Sequence, residues 1–380
     1  MGKICVEYAK LPGDYWRILI FGIGRCIKDH RGPVRNLGTM TLFSTLAEGD
    51  FDEEQLKIAY EEIFIKIFNG FQAEVYEPEW INGICSHSLT GMASVISQKF
   101  SLLQSIVPSF YSLLLSGIFK FNETLAKTAL LVLKQLIYYN YKSFTDNLWD
   151  ETVVVFKKLI EKLMPNELFL ELVGGKLPFE PRSVSDKIVI LYQVILTAKN
   201  IFCKESAIDD ENENDEALDD VPIKILESFI MIFENVYILA RDFDSKFELR
   251  KSLWSAGFMA GNKTLPGLFR IEKESLNLMI ALVYRTENHD KVYEISKNLL
   301  YDVANKEKLF AGRKEEITSI EPVISKTLIP YLGKNVHETM KKLGPELIEL
   351  ITISDPLIRE ELKKILKLSL RFYDNNEKIT

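Results

Sequence analysis

A chain of 380 residues, 47% hydrophobic and 27% charged, is too long for one compact core and apolar enough to fill more than one. Only 19 glycines and 13 prolines argue against a turn-rich all-β fold and for long helices. The net charge of −7 comes from one stretch: residues 205–220 hold nine acidic residues and no basic one. The remainder is nearly neutral and lacks the clustered lysines and arginines of a nucleic-acid footprint, so no nucleic-acid partner is expected.

Taken in order, apolar residues recur at helical spacing in segment after segment. The first helices are expected at 14–29, 32–47 and 53–69, the second opened by Gly32-Pro33, since proline suits a first helical turn. Gly22-Ile-Gly24 lies inside the first of these, lacks a third glycine and follows no strand, so it is not a dinucleotide loop. Helices follow at 79–98, 101–119, 122–141, 147–164 and 183–203. Leu125, Leu130, Leu133, Leu136 and Ile137 mark one apolar face; Asn122 opens that helix, and Asp146 is a candidate cap for the next. Gly174-Gly175 reads as a helix end. Beyond the acidic stretch, helices are expected at 221–242, 245–256, 267–286, 289–308, 314–332, 335–353 and 356–372.

Paired helices with a repeat of about 40 residues predict an all-α fold, a HEAT/armadillo-like superhelical solenoid of antiparallel helix pairs, with an irregular helical bundle as the alternative. The division expected is 1–204 as a first helical-repeat array, 205–220 as an acidic disordered linker and 221–380 as a second, C-terminal array. An acidic tail that binds a basic partner is the other reading of the linker.

No constellation for chemistry emerges. His337-Glu338-Thr-Met-Lys341 begins like a zinc-protease helix, but Lys341 stands where the second ligand is needed. Cys85 and His87, two apart on a helix, point to different faces. Cys5, Cys26, Cys85 and Cys203 are scattered and read as free thiols of a reducing compartment. His30, His87, His289 and His337 are far apart in sequence. No phosphate-binding loop or nucleophile elbow appears, and no catalytic, cofactor-binding or metal-binding residue is expected. Tyr138-Tyr139-Asn-Tyr141 reads as a half-buried helix end rather than a base-stacking platform. The N-terminus carries no signal-peptide pattern, and no apolar run is expected to reach the roughly 18–20 residues of a membrane span. The sequons at Asn122 and Asn262 are then chance matches.

One stretch is not generic. It reads Asp242-Phe243, Leu249-Arg250, Leu253-Trp254-Ser-Ala256-Gly257-Phe258, Lys263, Pro266-Gly-Leu268, Glu272 and Ser275. It resembles the far C-terminal segment of the BIG-type, brefeldin-A-inhibited guanine-nucleotide exchange factors for Arf GTPases. Trp80, Asn122-Glu-Thr-Leu-Ala126, Phe144 and Trp149 resemble an earlier block of that family, and Val34-Arg35-Asn36 with Leu42-Phe-Ser-Thr-Leu46 resembles the repeats before it. Ser255, Gly267 and Ile271 depart from the family's usual residues. Read from the residues alone, Gly257 ends a helix in the left-handed region, Phe258 folds back, Pro266 opens the next helix and Trp254 packs in the corner.

The resemblance implies a non-catalytic region downstream of the catalytic Sec-seven domain, with a regulatory and targeting role in vesicle-mediated transport. It implies small GTPases of the Arf/Rab type, upstream domains of the same factor, a second copy in a homodimer and the peripheral Golgi membrane as partners. The implied location is cytoplasmic and peripheral at the trans-Golgi network. A stand-alone HEAT-type scaffold or adaptor without an exchange domain is the rival reading.

Overall fold

The structure, a computed structural model, describes residues 15–69, 81–120, 122–203, 218, 220–261, 264–286, 290, 293–297, 300, 328–352 and 356–377. Among them every regular element is helical, and the sole extended pairing is an isolated bridge between Val173 and Lys176. The chain divides into two compact units, one of Met1–Pro165 with Arg182–Asp220, the other of Asn166–Pro181 with Val221–Thr380. The short segment Asn166–Pro181 thus belongs with the C-terminal unit although the chain on both sides of it belongs to the first.

Unit 1 contains α1 (Tyr15–Cys26), α2 (Gly32–Glu48), α3 (Glu53–Ala59), α4 (Ile65–Asn69), α5 (Ser86–Gln98), α6 (Phe100–Leu103), α7 (Val107–Ile118), α8 (Glu123–Asn140), α9 (Asp146–Leu163) and α10 (Pro181–Phe202). Its helix starts are written in short-range hydrogen bonds. Asp52 and Gln55 form a reciprocal capping box, Gln55 N–H donating to Asp52 Oδ1 at 2.8 Å and Asp52 N–H to Gln55 Oε1 at 3.1 Å. Asn122 caps α8 through Leu125 N–H at 3.0 Å. At α9 the cap is Thr145, not Asp146, which is the first helical residue. The helix expected over 101–119 is broken by a 3-10 turn at Gln104–Ile106. Pro108 explains the break, because proline suits a first turn but disfavours helix just before it.

The helices of unit 1 stack in two layers. α2, α5 and α8 pack in succession, while α7 packs on α9 and on α8. Phe64 in the π-helical turn Tyr60–Phe64, which joins α3 to α4, meets Phe110 of α7 with centroids 5.8 Å apart. A Cβ at Gly91 of α5 would run into the Phe43 ring, so glycine there lets α2 and α5 close up. Polar side chains tie successive repeats within each layer at a regular interval: Ser86 to Thr128, Ser97 to Asn140, Gln104 to Thr145, and Tyr111 to Thr152, with separations of 42, 43, 41 and 41 residues. That interval is the repeat of a helical solenoid, in which each pair of helices rests on its neighbour.

Phe100–Ile118 is a correction to the membrane reading. Its 19 residues are long and apolar enough by composition to cross a membrane, with a mean hydropathy of 1.3. It is broken by the 3-10 turn, and Leu103, Val107, Phe110, Tyr111, Leu114 and Ile118 pack inside the unit.

Unit 2 contains α11 (Ile223–Ser245), α12 (Phe247–Ser255), α13 (Phe269–Thr286), α14 (Ile329–Leu332), α15 (Val336–Glu349) and α16 (Pro356–Glu377). α11 and α13 form its main helix pair, and α16 packs on α14 and α15. The segment Asn166–Pro181 joins them through two edge-on ring contacts, Phe169 with Phe243 at 5.8 Å and Phe179 with Phe258 at 5.6 Å. Gly174 and Gly175 do not end a helix. They sit at φ 59° and 75° in the tight turn between Val173 and Lys176, whose backbones exchange two hydrogen bonds. Most of the helices expected at 289–308 and 314–332, and of the acidic linker, lie outside the described residues; Leu218, within the acidic stretch, is buried.

Candidate functional site: a charged corner in unit 2

The recognisable residues of the sequence converge on the corner formed by α11, α12 and the start of α13. α12 is nine residues long and ends as its glycine requires. Gly257 has φ 104°, its N–H donates to Trp254 O at 3.0 Å, and Phe258 N–H reaches back to Leu253 O at 3.0 Å. This paired closure satisfies two terminal carbonyls and turns Phe258 inward, where it is 1% exposed. Leu253 is fully buried beside it.

Beneath the corner lie three charged side chains, Asp244 at 4%, Arg250 at 0% and Glu272 at 3% exposed. Arg250 Nε donates to Pro266 O at 2.6 Å and its NH1 group to Asp244 O at 3.0 Å, while its guanidinium sits 4.9 Å over the Phe269 ring. Asp244 Oδ1 accepts from Leu268 N–H at 2.7 Å. Pro266 therefore does not open a helix. It lies three residues ahead of α13, and its carbonyl is the anchor by which Arg250 fixes the connecting chain. Burial, then the neighbouring Glu272 carboxylate, hold the Asp244 carboxyl well above its ordinary range, against the opposing pull of Leu268 N–H and Arg250. A fork of guanidinium donors and one carboxylate thus organise two backbone segments that no regular secondary structure joins.

Chemically the cluster is a clamp. Its groups face one another and backbone rather than a cleft that could admit a substrate. The outward element of the motif is Trp254, 37% exposed, between exposed Lys251 and Ser255. Trp254 is more open than the corner packing the sequence suggested, while Leu253 and Phe258 are the buried side chains there. Met259, in the following loop, has φ 54°, a left-handed value that is uncommon outside glycine and asparagine.

The other sequence candidates stay apart. Cys85 is fully buried and its thiol is pushed up by burial, whereas His87 is exposed. His337 and Lys341 are both exposed on α15, and Glu338 pairs with Lys342 at 3.3 Å. Gly22 and Gly24 lie within α1. Tyr139 is 68% exposed at the end of α8 beside buried Asn140, the half-buried helix end read from the sequence. Among the described residues no group of three or more histidine, cysteine or acidic side chains could hold a metal. A shallow open groove in unit 1 is bordered by Lys57, Tyr60, Ser105 and Ser109. Burial raises the Tyr60 hydroxyl to about 12, and it donates to Ser109 Oγ at 3.1 Å. Sequence reasoning missed this groove and the buried carboxyl of Asp244; the Asp244 signal was one residue away, at Asp242-Phe243.

These features define an α-helical repeat protein whose distinctive residues build a corner. Residues 189–367, just under half of the chain, match the family described as the BIG2 C-terminal domain. The ADP-ribosylation factor guanine nucleotide-exchange factor sec71 of Schizosaccharomyces pombe is 22% identical over 299 residues, 68% of this chain and 16% of the relative. The exchange factor SEC7 of Saccharomyces cerevisiae is 30% identical over 90 residues, 24% of this chain and 4% of the relative. Human brefeldin A-inhibited guanine nucleotide-exchange protein 1 is 22% identical over 181 residues, 45% of this chain and 10% of the relative. The chain is related to the C-terminal region of BIG-type Arf exchange factors, and its matches span a small part of those relatives' length.

Proposed function

We propose that this chain is a non-catalytic regulatory and targeting region of an Arf guanine-nucleotide exchange factor acting in vesicle-mediated transport at the trans-Golgi network. The observation that carries the reading is the corner of unit 2, where Arg250, Leu253, Gly257, Phe258 and Glu272 are spent on architecture and Trp254 is the large apolar side chain of the motif left exposed. Tryptophan is the side chain most enriched at the energetic centre of protein interfaces, and here the clamp fixes its position. Partners of this reading are small GTPases of the Arf/Rab type, upstream domains of the same factor, a second copy and the peripheral Golgi membrane.

The test is capture of GTP-loaded and GDP-loaded Arf and Rab GTPases on the immobilised chain. Nucleotide-selective retention that Trp254→Ala weakens by about tenfold, the scale of a moderate interface anchor, is the expected result. Retention that ignores both nucleotide and Trp254 overturns this assignment of the corner. The chain alone is expected to leave the rate of nucleotide exchange on Arf at background.

A further inference from the structure

α16 is a helix whose inner and outer faces obey different rules. Ile358, Leu362 and Ile365 are at most 2% exposed and tie it to α14 and α15. Packing therefore accounts for the inner stripe and leaves the outer one unexplained. On that outer face Leu357 is 52% and Leu368 44% exposed. Eleven residues is about three helical turns, so the two leucines lie on nearly one line, about 16 Å apart. Between them Lys363, Lys364 and Lys367 are all exposed. The acids on this stretch are exposed Glu360 and half-buried Glu361, and Glu361 is engaged by Lys364. At about 100° per residue Lys364 lies within about 40° of the leucine line, while Lys367 and Lys363 stand one turn apart farther round the exposed side, with Glu360 between them and the leucines. Ile348 and Ile351, 56% and 47% exposed, add apolar surface where the chain leaves α15 for α16.

We infer that the outer face of α16 docks on an anionic lipid surface. Exposed leucines flanked by lysines suit a bilayer interface, where the aliphatic side chains enter the headgroup boundary and the ammonium groups meet phosphates. Each lysine near such a surface contributes attraction that salt screens. An acidic partner protein would use the lysines but would not require both leucines on one line. A basic partner is excluded by the same charge. The inference deepens the targeting part of the function proposed above and rests on that reading only for the membrane as a partner.

Flotation of the full chain with vesicles tests it, using phosphatidylcholine alone and equal parts phosphatidylcholine and phosphatidylserine. Flotation with the phosphatidylserine vesicles only, abolished by high salt, is expected. Lys363→Glu with Lys367→Glu should lower the bound fraction at least about tenfold, since each lysine removed near the surface weakens binding several-fold. Leu357→Ser with Leu368→Ser should weaken binding while keeping its salt sensitivity. Lys158→Glu with Lys162→Glu, the same charge change on exposed positions of α9, should change little. Because all the substituted side chains of α16 are exposed, circular dichroism should be unchanged. Equal flotation by the Lys363/Lys367 variant overturns the assignment of the face, and so does failure of the unaltered chain to float. A concentration-dependent dimer that the same variant abolishes in light scattering would give the face to a second copy instead. GTPase capture measured on the same preparations separates the outcomes, because loss of vesicle binding with capture intact overturns the face and leaves the proposed function standing.

Discussion

Unit 1 buries Thr39, Thr41, Thr45, Ser88, Asn140 and Thr152, all uncharged, whereas unit 2 buries Asp244, Arg250 and Glu272 at one corner. The difference decides how each unit is held and how visible it is in sequence. A buried threonine can be satisfied by its own helix: Thr45 donates to Thr41 O at 2.6 Å and Thr152 to Leu148 O at 2.8 Å. Such a residue asks little of the rest of the chain, so many sequences build the same stack. A buried guanidinium needs carbonyls and carboxylates at set places, because an unpaired charge in the interior is expensive. Arg250 therefore binds the identities of Asp244, the Pro266–Leu268 turn and Glu272 together across 29 residues, and that stretch is the one that resembles a family by eye.

The largest effect should come from breaking the clamp. Arg250→Ala strands two buried backbone carbonyls, Pro266 O and Asp244 O, and should destabilise unit 2 by about 2–6 kcal/mol, since each buried acceptor left without its donor costs about 1–3 kcal/mol. Hydrogen exchange should show the loss in α11 to α13. Arg250→Lys should recover little, since a point charge cannot hold the Pro266 and Asp244 carbonyls as a fork does. The matching cut in unit 1 is Phe110→Ala. Phe110 is fully buried against Phe64, and its removal should cost about 3–5 kcal/mol through a cavity, with damage spreading along neighbouring repeats.

Titration separates the units next. Asp244 has a folded pKa raised above its ordinary 3.8, by burial and then by Glu272. The folded form keeps a proton that the unfolded chain releases. Its contribution is complete below pH 3.8 and is lost as pH rises through the folded value, at up to about 1.4 kcal/mol per pH unit. Chemical denaturation of unit 2 from pH 4 upward should show this falling component. Asp244→Asn should remove it while keeping the acceptor for Leu268 N–H. An unchanged pH profile in the variant would refute this role for Asp244.

The helical pattern of the sequence was sufficient for α2, α5, α8 and α9, because caps at Asn122 and the Gly32-Pro33 start act within one turn. It was insufficient where a local rule has two outcomes. A glycine pair serves a helix end or a hairpin turn equally well, and Gly174-Gly175 forms the turn. Pro266 was read as a helix start because its missing N–H suits one, but its carbonyl was needed by Arg250, a partner 16 residues away. The Arg250 signal was present in the motif without its burial, since arginine is so rarely buried that sequence reading places it outside. The repeat interval was visible only as an approximate spacing, and the Ser97–Asn140 and Tyr111–Thr152 contacts turn it into a register.

A smaller effect tests that register. Tyr111→Phe removes the hydroxyl that meets Thr152 Oγ1 at 3.1 Å, while Thr152 retains its bond to Leu148 O. A loss of about 0.5–1.5 kcal/mol is expected in unit 1 by thermal denaturation. The change should be insensitive to pH near neutrality, because burial holds the Tyr111 hydroxyl far above its ordinary value.

Trp254→Ala should be as mild as Tyr111→Phe, and its smallness carries the argument about function. Its neighbours in sequence, Leu253 and Arg250, are fully buried, so a tryptophan serving the same core would cost about 3–5 kcal/mol to remove. At 37% exposure, with the helix end closed by Gly257 and Phe258, it should cost about 1 kcal/mol, the ordinary size of a substitution away from the core. Thermal denaturation of the variant measures this, and Leu253→Ala in the same unit provides the buried comparison. A drop for Trp254→Ala as large as for Leu253→Ala would show that the indole supports the fold and would remove it from the interaction surface. A small drop together with lost GTPase capture assigns the outer side of the corner to recognition and its inner side to the clamp that holds it.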